Sequence, residues 1–408
     1  MKIPLLHTAP REIYTIMKKS VIGQDEALKT VATALSAHIA RVIHNQLPYT
    51  GNPIKKDNLI VMGPSGTGKT ESIHTAIREL DLLFPVAIAP VNTLSNAGYK
   101  GRNVEDIIWD LINDARRILD EDGVRIFSSS DYTIEEKPNG TKVRKIEKET
   151  AANAVTMLVE NGILILDEFD KIRFSPENPY EGTYKRNLQY ELLKIVEGTK
   201  GLSENPTVQK IDTTNILVIC MGAFTDLLEP PPEPAAIGFS VNKGNRESKN
   251  KAIAGIPTTE EICGFGFVPE LIGRLPLKCR YQALSAKNLY RILSESEISP
   301  VRDFKLLFSQ TGNDLQITNA GMREIAKRAH EKGTGARALR DVLGTILYPI
   351  LYEIDGVVRQ HQIVIDKNVV NGEKPVIKPA PWVDVIDDDF SRKINAMTAN
   401  LHKKEGQP

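Results

Sequence analysis

The eight residues GPSGTGKT, at positions 63–70, constrain the fold more than any other part of the sequence. They match the pattern GxxxxGK[ST] in full, follow the apolar run LIVM and open a stretch of helical character that extends to Leu80. Glycines let the backbone turn its N–H groups towards an anion, and the first turn of the following helix adds its positive dipole end. The sequence therefore predicts a phosphate-binding loop between a buried strand and a helix rather than a chance glycine-rich turn.

Individual residues of this loop have expected roles. Lys69 is expected to neutralise the β- and γ-phosphates of a nucleotide, and the Thr70 hydroxyl is expected to coordinate Mg²⁺. The predicted cofactors are therefore ATP and Mg²⁺. The residues predicted to bind the nucleotide in this loop are Gly63, Pro64, Ser65, Gly66, Thr67, Gly68, Lys69, Thr70 and Glu71.

A second apolar run, GILILDEFDK at 162–171, ends in the acidic pair Asp167 and Glu168. Open parallel sheets bind ligands at the carboxyl ends of their strands, so these acids are expected close to the phosphate loop. There Asp167 is predicted to hold Mg²⁺ through water and Glu168 to orient and activate the attacking water. Alone, the pair would be interpreted as a strand end with solvated acids.

The apolar runs at 59–62, 162–171 and 215–224 alternate with helical patterns, among them an amphipathic helix from about Ile22 to Asn45. This alternation predicts an α/β fold, a three-layer domain with a parallel sheet. After Pro276 the pattern becomes mainly helical. We predict a large ATPase domain at 1–276, a small helical domain at 277–366 and a loosely held tail, rich in proline and charge, at 367–408.

Two segments interrupt the predicted large domain. Residues 120–150 place a Pro-Asn-Gly turn between two alternating runs, which predicts a β-hairpin insertion. Residues 229–260 are proline-rich and then polar, which is typical of an exposed loop.

The composition excludes several classes of protein. Lys plus Arg and Asp plus Glu both total 52, and a formal net charge of zero argues against a protein that grips nucleic acid mainly by charge. The 3 cysteines show no CxxC spacing, so neither zinc nor a disulfide framework is expected. No apolar run approaches the length of a membrane span or a signal peptide. We therefore predict a cytoplasmic protein.

Six motifs occur in the order found in the ClpX/HslU branch of AAA+ protein unfoldases, which the chain resembles over residues 12–366. They are GPSGTGKT, GYKG, ILILDEFDK, LLKIVEGT, GFVPELIGRLP and GTGARALRDVL. The resemblance implies a homo-hexameric ring with ATP between neighbouring subunits. It also implies protein substrates that are threaded through an axial pore.

The resemblance also implies roles for residues that carry no such signal alone. Arg274, in IGRLP, corresponds to the arginine finger that reaches the neighbour's γ-phosphate, and Arg337, in GAR, to the sensor-2 arginine of the same subunit. Val21 and Ile22 belong to VIGQ, the stretch that packs against adenine. Without the motif context, the arginines would be interpreted as surface or ion-pair residues and VIGQ as an ordinary helix start.

The GYKG motif, Gly98, Tyr99, Lys100 and Gly101, resembles the aromatic pore loop GYVG. Its glycines give hinge freedom, and a tyrosine face can press on any polypeptide; the alternative is a surface turn. Lys100 replaces the usual apolar residue, so the pore is expected to favour neutral or acidic segments.

The tripeptide Ile237, Gly238 and Phe239 resembles the loop that ClpX-type unfoldases insert into clefts on a ClpP-type peptidase, and a proline-rich loop that exposes Ile and Phe fits a docking anchor. The alternative is that it folds back onto its own domain. The hairpin either stands above the pore and screens substrates or is a tolerated surface insertion. We expect no counterpart of the zinc domain of ClpX or of its basic loop after EGT, so substrate choice is expected to differ.

Parts of the sequence also suggest three other functions. One is a remodeller of protein complexes that works without a peptidase. It differs from the favoured function only in that Ile237, Gly238 and Phe239 would dock no peptidase. An AAA+ protein acting on nucleic acid or transcription complexes is suggested by GAFT at 222–225, but this motif lies at the end of the third apolar run, and no nucleic-acid-binding module accompanies it. A small-molecule kinase would have no use for GYKG.

Overall fold

The computed structural model describes residues 3, 8–46, 54–94, 103, 106–128, 130–136, 142–175, 179–202, 210–228, 255–354 and 360–379. The α-helices in these ranges are α1 (Pro10–Ser20), α2 (Asp25–Asn45), α3 (Lys69–Glu79), α4 (Asp106–Ile126), α5 (Lys148–Glu160), α6 (Pro179–Glu197), α7 (Thr225–Leu228), α8 (Thr259–Gly264), α9 (Pro269–Ile272), α10 (Ala286–Glu295), α11 (Pro300–Gln310), α12 (Asn319–Lys332), α13 (Arg337–Ile354) and α14 (Lys367–Val370). Among these described helices, none combines the length and the apolar composition that crossing a membrane requires.

The strands of the described ranges form one large sheet and three small ones. They are β1 (Leu59–Met62), β2 (Val86–Pro90), β3 (Thr133–Glu136), β4 (Lys142–Lys145), β5 (Ile163–Asp167), β6 (Lys200–Leu202), β7 (Ile211–Asp212), β8 (Leu217–Gly222), β9 (Leu277–Arg280), β10 (Asp314–Ile317), β11 (His361–Ile365) and β12 (Val376–Pro379). The large sheet has 5 strands in the order β2-β5-β8-β1-β9, all parallel. In its centre Leu59 lies opposite Ile219 on one side and Leu277 on the other. The α/β prediction is confirmed.

The three apolar runs of the sequence form the centre of this sheet. Every residue of β1 and β8 is buried, and only Asp167 of β5 is partly exposed. Continuous apolar runs are expected for strands that are covered by helices on both faces. The flanking strands β2 and β9 carry a proline or charged residues, and the sequence pattern did not predict them.

The N-terminal helices differ from the sequence pattern at one end. Helix α2 begins at Asp25 rather than Ile22, because Gly23 has φ +79°, which ends any helix. Helix α1, with Pro10 in its first turn, was not predicted. Residues 21–24 therefore form a connection between two helices.

The chain divides into two compact units. The first comprises Met1–Ile298 with Ala329–Ala338, and the second comprises Ser299–Arg328 with Leu339–Pro408. The second unit contains a 3-stranded sheet in which β11 pairs with β10 in parallel and with β12 in antiparallel. Thus 367–379, expected to belong to a loose tail, contribute a short helix and a strand. The domain boundaries at 276 and 366 stay predictions.

The stretch predicted as an insertion contains an antiparallel pair, with β3 facing β4 and Thr133 opposite Lys145. An exposed ion pair between Lys145 and Glu135, at 2.5 Å, joins the two strands. Its flanks at 120–126 and 148–150 belong to α4 and α5. The hairpin therefore spans fewer residues than the predicted insertion at 120–150.

Candidate active site at the carboxyl edge of the sheet

The phosphate loop connects β1 with α3, which begins at Lys69. Its three glycines adopt the conformations that other residues avoid, with φ +140° at Gly63, +72° at Gly66 and +95° at Gly68. The Gly63 N–H donates to the Gly222 carbonyl at 3.2 Å, which ties the loop to the end of β8. The loop therefore lies at the carboxyl edge of the sheet.

Close backbone contacts also require these glycines. A Cβ on Gly63 would lie 2.4 Å from the Tyr281 carbonyl oxygen, and one on Gly68 would lie 2.8 Å from Val21 Cγ1. Real Cβ contacts of that length essentially never occur. The loop is therefore enclosed by residues that lie far away in the sequence.

Lys69 lies within this loop, where its Nζ donates to the Gly63 carbonyl at 2.7 Å and to the Pro64 carbonyl at 2.8 Å. The pKa of Lys69 is lowered to about 8, mainly by burial and to a smaller extent by the nearby Arg337 charge. The charges of Asp167 and Asp170 oppose this shift of the pKa. The charges of Asp167, Asp170 and Arg337 therefore all lie close enough to Lys69 to affect its protonation.

Ser72 and Tyr281, which the sequence analysis did not identify, hold the backbone of the phosphate loop in place. The Ser72 hydroxyl donates to the Lys69 carbonyl at 2.7 Å and lies 2.7 Å from the Tyr281 hydroxyl. Tyr281 is completely buried, and burial raises the pKa of its phenol. It follows β9, so it connects the phosphate loop to the edge of the sheet.

The acidic pair follows β5 directly. Glu168 has φ +56°, unusual for a residue with a long side chain, and its N–H donates to Asp167 Oδ1 at 2.8 Å. Asp170, which the sequence did not indicate, is only 8% exposed and accepts from the Ala223 N–H at 3.0 Å. This bond joins the end of β5 to the end of β8.

The predicted adenine contacts lie beside the loop. Val21 and Ile22 are each only 5% exposed, and Val21 contacts Gly68. The following Gln24 makes two 2.8 Å bonds with the backbone of Gln282, one as donor and one as acceptor. This side-chain-to-backbone pair holds the connection between α1 and α2 against the segment before α10.

Arg337 is brought to the same place by a glycine-rich turn. The Ala336 N–H donates to the Gly66 carbonyl at 2.8 Å, and a Cβ on Gly335 would lie 2.6 Å from that same oxygen. Arg337 follows as the exposed first residue of α13. Both sides of this contact belong to the first compact unit.

Arg274 lies elsewhere. Its carbonyl accepts from Asn58 Nδ2 at 3.1 Å, and its Nη2 donates to Glu197 Oε1 at 2.6 Å, with the Arg274 side chain 54% exposed. Asn58 precedes β1 and Gly63 follows it, so at the usual rise per residue they are roughly 16 Å apart. The structure therefore brings all predicted nucleotide contacts together except Arg274.

The described residues fit a magnesium ion that is held mainly by nucleotide phosphates. Thr70 follows Lys69 in the first turn of α3, and the charge of Asp167 acts on Lys69. Magnesium sites of this kind take one or two carboxylates together with phosphate oxygens and water. Within the described ranges no group of three or more His, Cys, Asp or Glu side chains forms a protein-only metal site. Thr70 and Asp167 stay the predicted ligands.

The pore-loop residues Gly98, Tyr99, Lys100 and Gly101 lie outside the described residues. The same holds for the predicted docking residues Ile237, Gly238 and Phe239. Their roles stay predictions.

Comparison with known proteins agrees with this geometry. Residues 54–278 match the family model described as AAA domain (Cdc48 subfamily). The chain is also similar to the ATP-dependent Clp protease ATP-binding subunit ClpX of Treponema denticola, with 30% identity over 385 residues, covering 90% of this chain and 83% of that protein. The proteins of the same name from Borrelia duttonii and Borrelia recurrentis are each 30% identical over 382 residues, covering 90% of this chain and 80% of theirs.

Proposed function

The chain belongs to the AAA+ Clp ATPase family, and from this premise we propose that it is an ATP-dependent protein unfoldase that acts as a homo-hexameric ring. As a ClpX-like member of the family it binds and hydrolyses ATP. The proposal concerns what the hydrolysis drives, namely the threading of a polypeptide through an axial pore lined by Tyr99.

The observation that carries the proposal is the separation of Arg274 from the phosphate loop. An arginine that stabilises a transferring phosphoryl group must reach that group. Arg274 lies at the opposite end of β1 from Gly63, and its side chain is half-exposed in an ion pair with Glu197, so it faces solvent and a neighbouring molecule rather than its own nucleotide. This supports a catalytic site shared between subunits, which a closed ring provides.

The remaining residues have the roles that their positions support. Lys69 and Arg337 stabilise the charge of the phosphates, and Glu168 orients the attacking water. Thr70 and Asp167 would hold Mg²⁺, which would neutralise negative charge on the phosphates when it is bound. Val21 and Ile22 contribute an apolar surface to the base.

We further propose that the ring delivers substrate to a ClpP-type peptidase through Ile237, Gly238 and Phe239. The relatives are named ATP-binding subunits of the Clp protease, which supports a peptidase partner. Deletion of these three residues is expected to abolish peptidase binding and to spare ATP hydrolysis.

The experiment is the ATP-driven unfolding of a stable fluorescent protein fused to an unstructured tail. Loss of fluorescence is expected with the wild type and ATP, but not with Glu168→Gln, which blocks hydrolysis. Tyr99→Ala should hydrolyse ATP yet leave the fluorescent protein folded. This result would separate the binding of substrate by the pore loop from the hydrolysis of ATP. A Tyr99→Ala variant that unfolds the substrate at the wild-type rate would rule out the pore-loop role.

A further inference from the structure

The connection between α1 and α2 is held on two sides. On one side Val21 contacts Gly68 of the phosphate loop, and on the other Gln24 bonds the backbone of Gln282. The Ser296 hydroxyl also donates to the Ser20 carbonyl at 2.8 Å, so the segment 282–296 is joined at both ends to residues 20–24. We call residues 21–23 the wall of the proposed base site, and helix α10 packs against this wall.

The side chain of Asn288 lies directly on this wall. A Cβ on Gly23 would lie 2.4 Å from Asn288 Nδ2 and 2.7 Å from its Cγ. Gly23 has φ +79°, so both its conformation and this contact require glycine. The Asn288 carboxamide thus occupies the space beside residues 21–23 that a side chain at position 23 would take.

The start of α10 fixes the position of Asn288. Ser285 caps the helix and accepts from the Asn288 N–H at 3.2 Å. Asn288 is therefore the third residue of the helix, where a longer polar side chain commonly reaches back to the cap. Here the half-buried carboxamide has no hydrogen-bond partner among the residues the structure describes. An amide that is partly removed from water is costly unless a partner is supplied.

We propose that Asn288 recognises the base of the bound nucleotide and selects a 6-aminopurine, an inference that rests on the proposed nucleotide site. A carboxamide presents one donor beside one acceptor. Adenine presents the complement, a 6-amino donor beside a ring-nitrogen acceptor, and Asn forms two hydrogen bonds with it elsewhere in recognition of adenine. The side chains of Val21 and Ile22 offer only apolar surface, which does not distinguish one purine from another, whereas the Asn288 side chain can distinguish them by hydrogen bonds.

The test compares two diphosphates that differ by one group, ADP and purine riboside diphosphate, which is ADP without its 6-amino group. Dissociation constants are measured by calorimetry for the wild type, Asn288→Leu and Asn288→Ala. The wild type is expected to bind ADP about three- to tenfold more tightly than the analogue, the range of one or two net hydrogen bonds. Both variants should bind the two nucleotides equally, and they should lose less affinity for the analogue, which keeps only the ring-nitrogen bond, than for ADP.

Lys287→Leu is the matched control, because Lys287 is the exposed neighbour of Asn288 on the same helix. It should retain the wild-type preference for ADP. Equal losses for both nucleotides in the Asn288 variants would mean that Asn288 only packs the wall, and that result overturns the inference. An unchanged preference would overturn it too. A wild type that binds no adenine nucleotide would instead overturn the proposed nucleotide site, and this inference with it.

Discussion

Lys69 links the protonation of the phosphate loop to nucleotide binding. Burial lowers the pKa of Lys69 from its ordinary value of 10.5 to about 8 in the free protein. A phosphate beside the ammonium favours its charged form and raises the pKa again. Below pH 8 Lys69 is charged in both states, whereas above pH 8 only the nucleotide complex holds the proton. Affinity for ADP should therefore fall as the pH rises through 8.

The measurement is calorimetry of ADP binding at pH 8 in two buffers with different enthalpies of ionisation. The wild type should take up about half a proton more per ADP than Lys69→Arg, because an arginine stays charged throughout. Equal proton uptake by the two proteins would contradict the assignment. The free protein should also become more stable between pH 8 and 10.5, where the unfolded chain binds more protons than the folded one.

The residues around Lys69 that could be identified from the sequence all belong to short, continuous motifs. Gly63 to Thr70 are consecutive, and Asp167 with Glu168 follow directly on an apolar run. Asp170 and Tyr281 had no such signal. Asp170 follows the pair as one more acid, and only its bond to the Ala223 N–H distinguishes it. Tyr281 contributes through its hydroxyl contact with Ser72, which lies 209 residues away. A hydrophobic pattern in the sequence cannot predict a contact of this kind.

At the scale of elements, the central strands could be predicted and the contacts that enclose the site could not. β1, β5 and β8 are buried on both faces and are therefore apolar throughout. The edge strands β2 and β9 lack that pattern. The bonds between Gln24 and Gln282 join positions 258 residues apart, which depends on the assembled sheet rather than on local sequence.

The turn before α13 provides a test of an element contact with a matched control. Gly333 and Gly335 both have positive φ, +71° and +62°, so an alanine at either position is strained by a similar amount, about 1 kcal/mol. Only the Cβ at 335 would meet the loop, 2.6 Å from the Gly66 carbonyl oxygen, whereas nothing lies within 4 Å of a Cβ at 333. Gly335→Ala should therefore displace the turn that carries Arg337.

We expect Gly335→Ala to raise the KM for ATP about tenfold more than Gly333→Ala does, the effect of losing roughly 1.4 kcal/mol of binding. Gly335→Ala should also lose more thermal stability than Gly333→Ala, because only its Cβ meets backbone atoms. Steady-state ATP hydrolysis and thermal unfolding measure the two effects separately. If the KM values of both variants agree, the turn does not support the nucleotide site.

At the scale of the whole molecule, the proposed ring and the proposed role of Arg274 predict which subunits can complement each other. A ring built only of Arg274→Ala lacks the arginine at every site, and one built only of Glu168→Gln lacks the catalytic carboxylate at every site. In an equal mixture, some interfaces combine the intact Glu168 of an Arg274→Ala subunit with the intact Arg274 of a Glu168→Gln neighbour. About a quarter of the interfaces in randomly mixed rings have this arrangement.

ATP hydrolysis should therefore reappear in that mixture, although each variant alone is inactive. The control is a mixture of Arg337→Ala with Glu168→Gln. The Arg337 charge acts on Lys69 of its own chain, so every site in that mixture lacks either Arg337 or Glu168 and no activity should return. Because the mixtures differ only in which arginine is removed, recovery in the first alone identifies Arg274 as the residue that acts on a neighbour. Recovery in both, or in neither, would contradict a catalytic site divided between subunits.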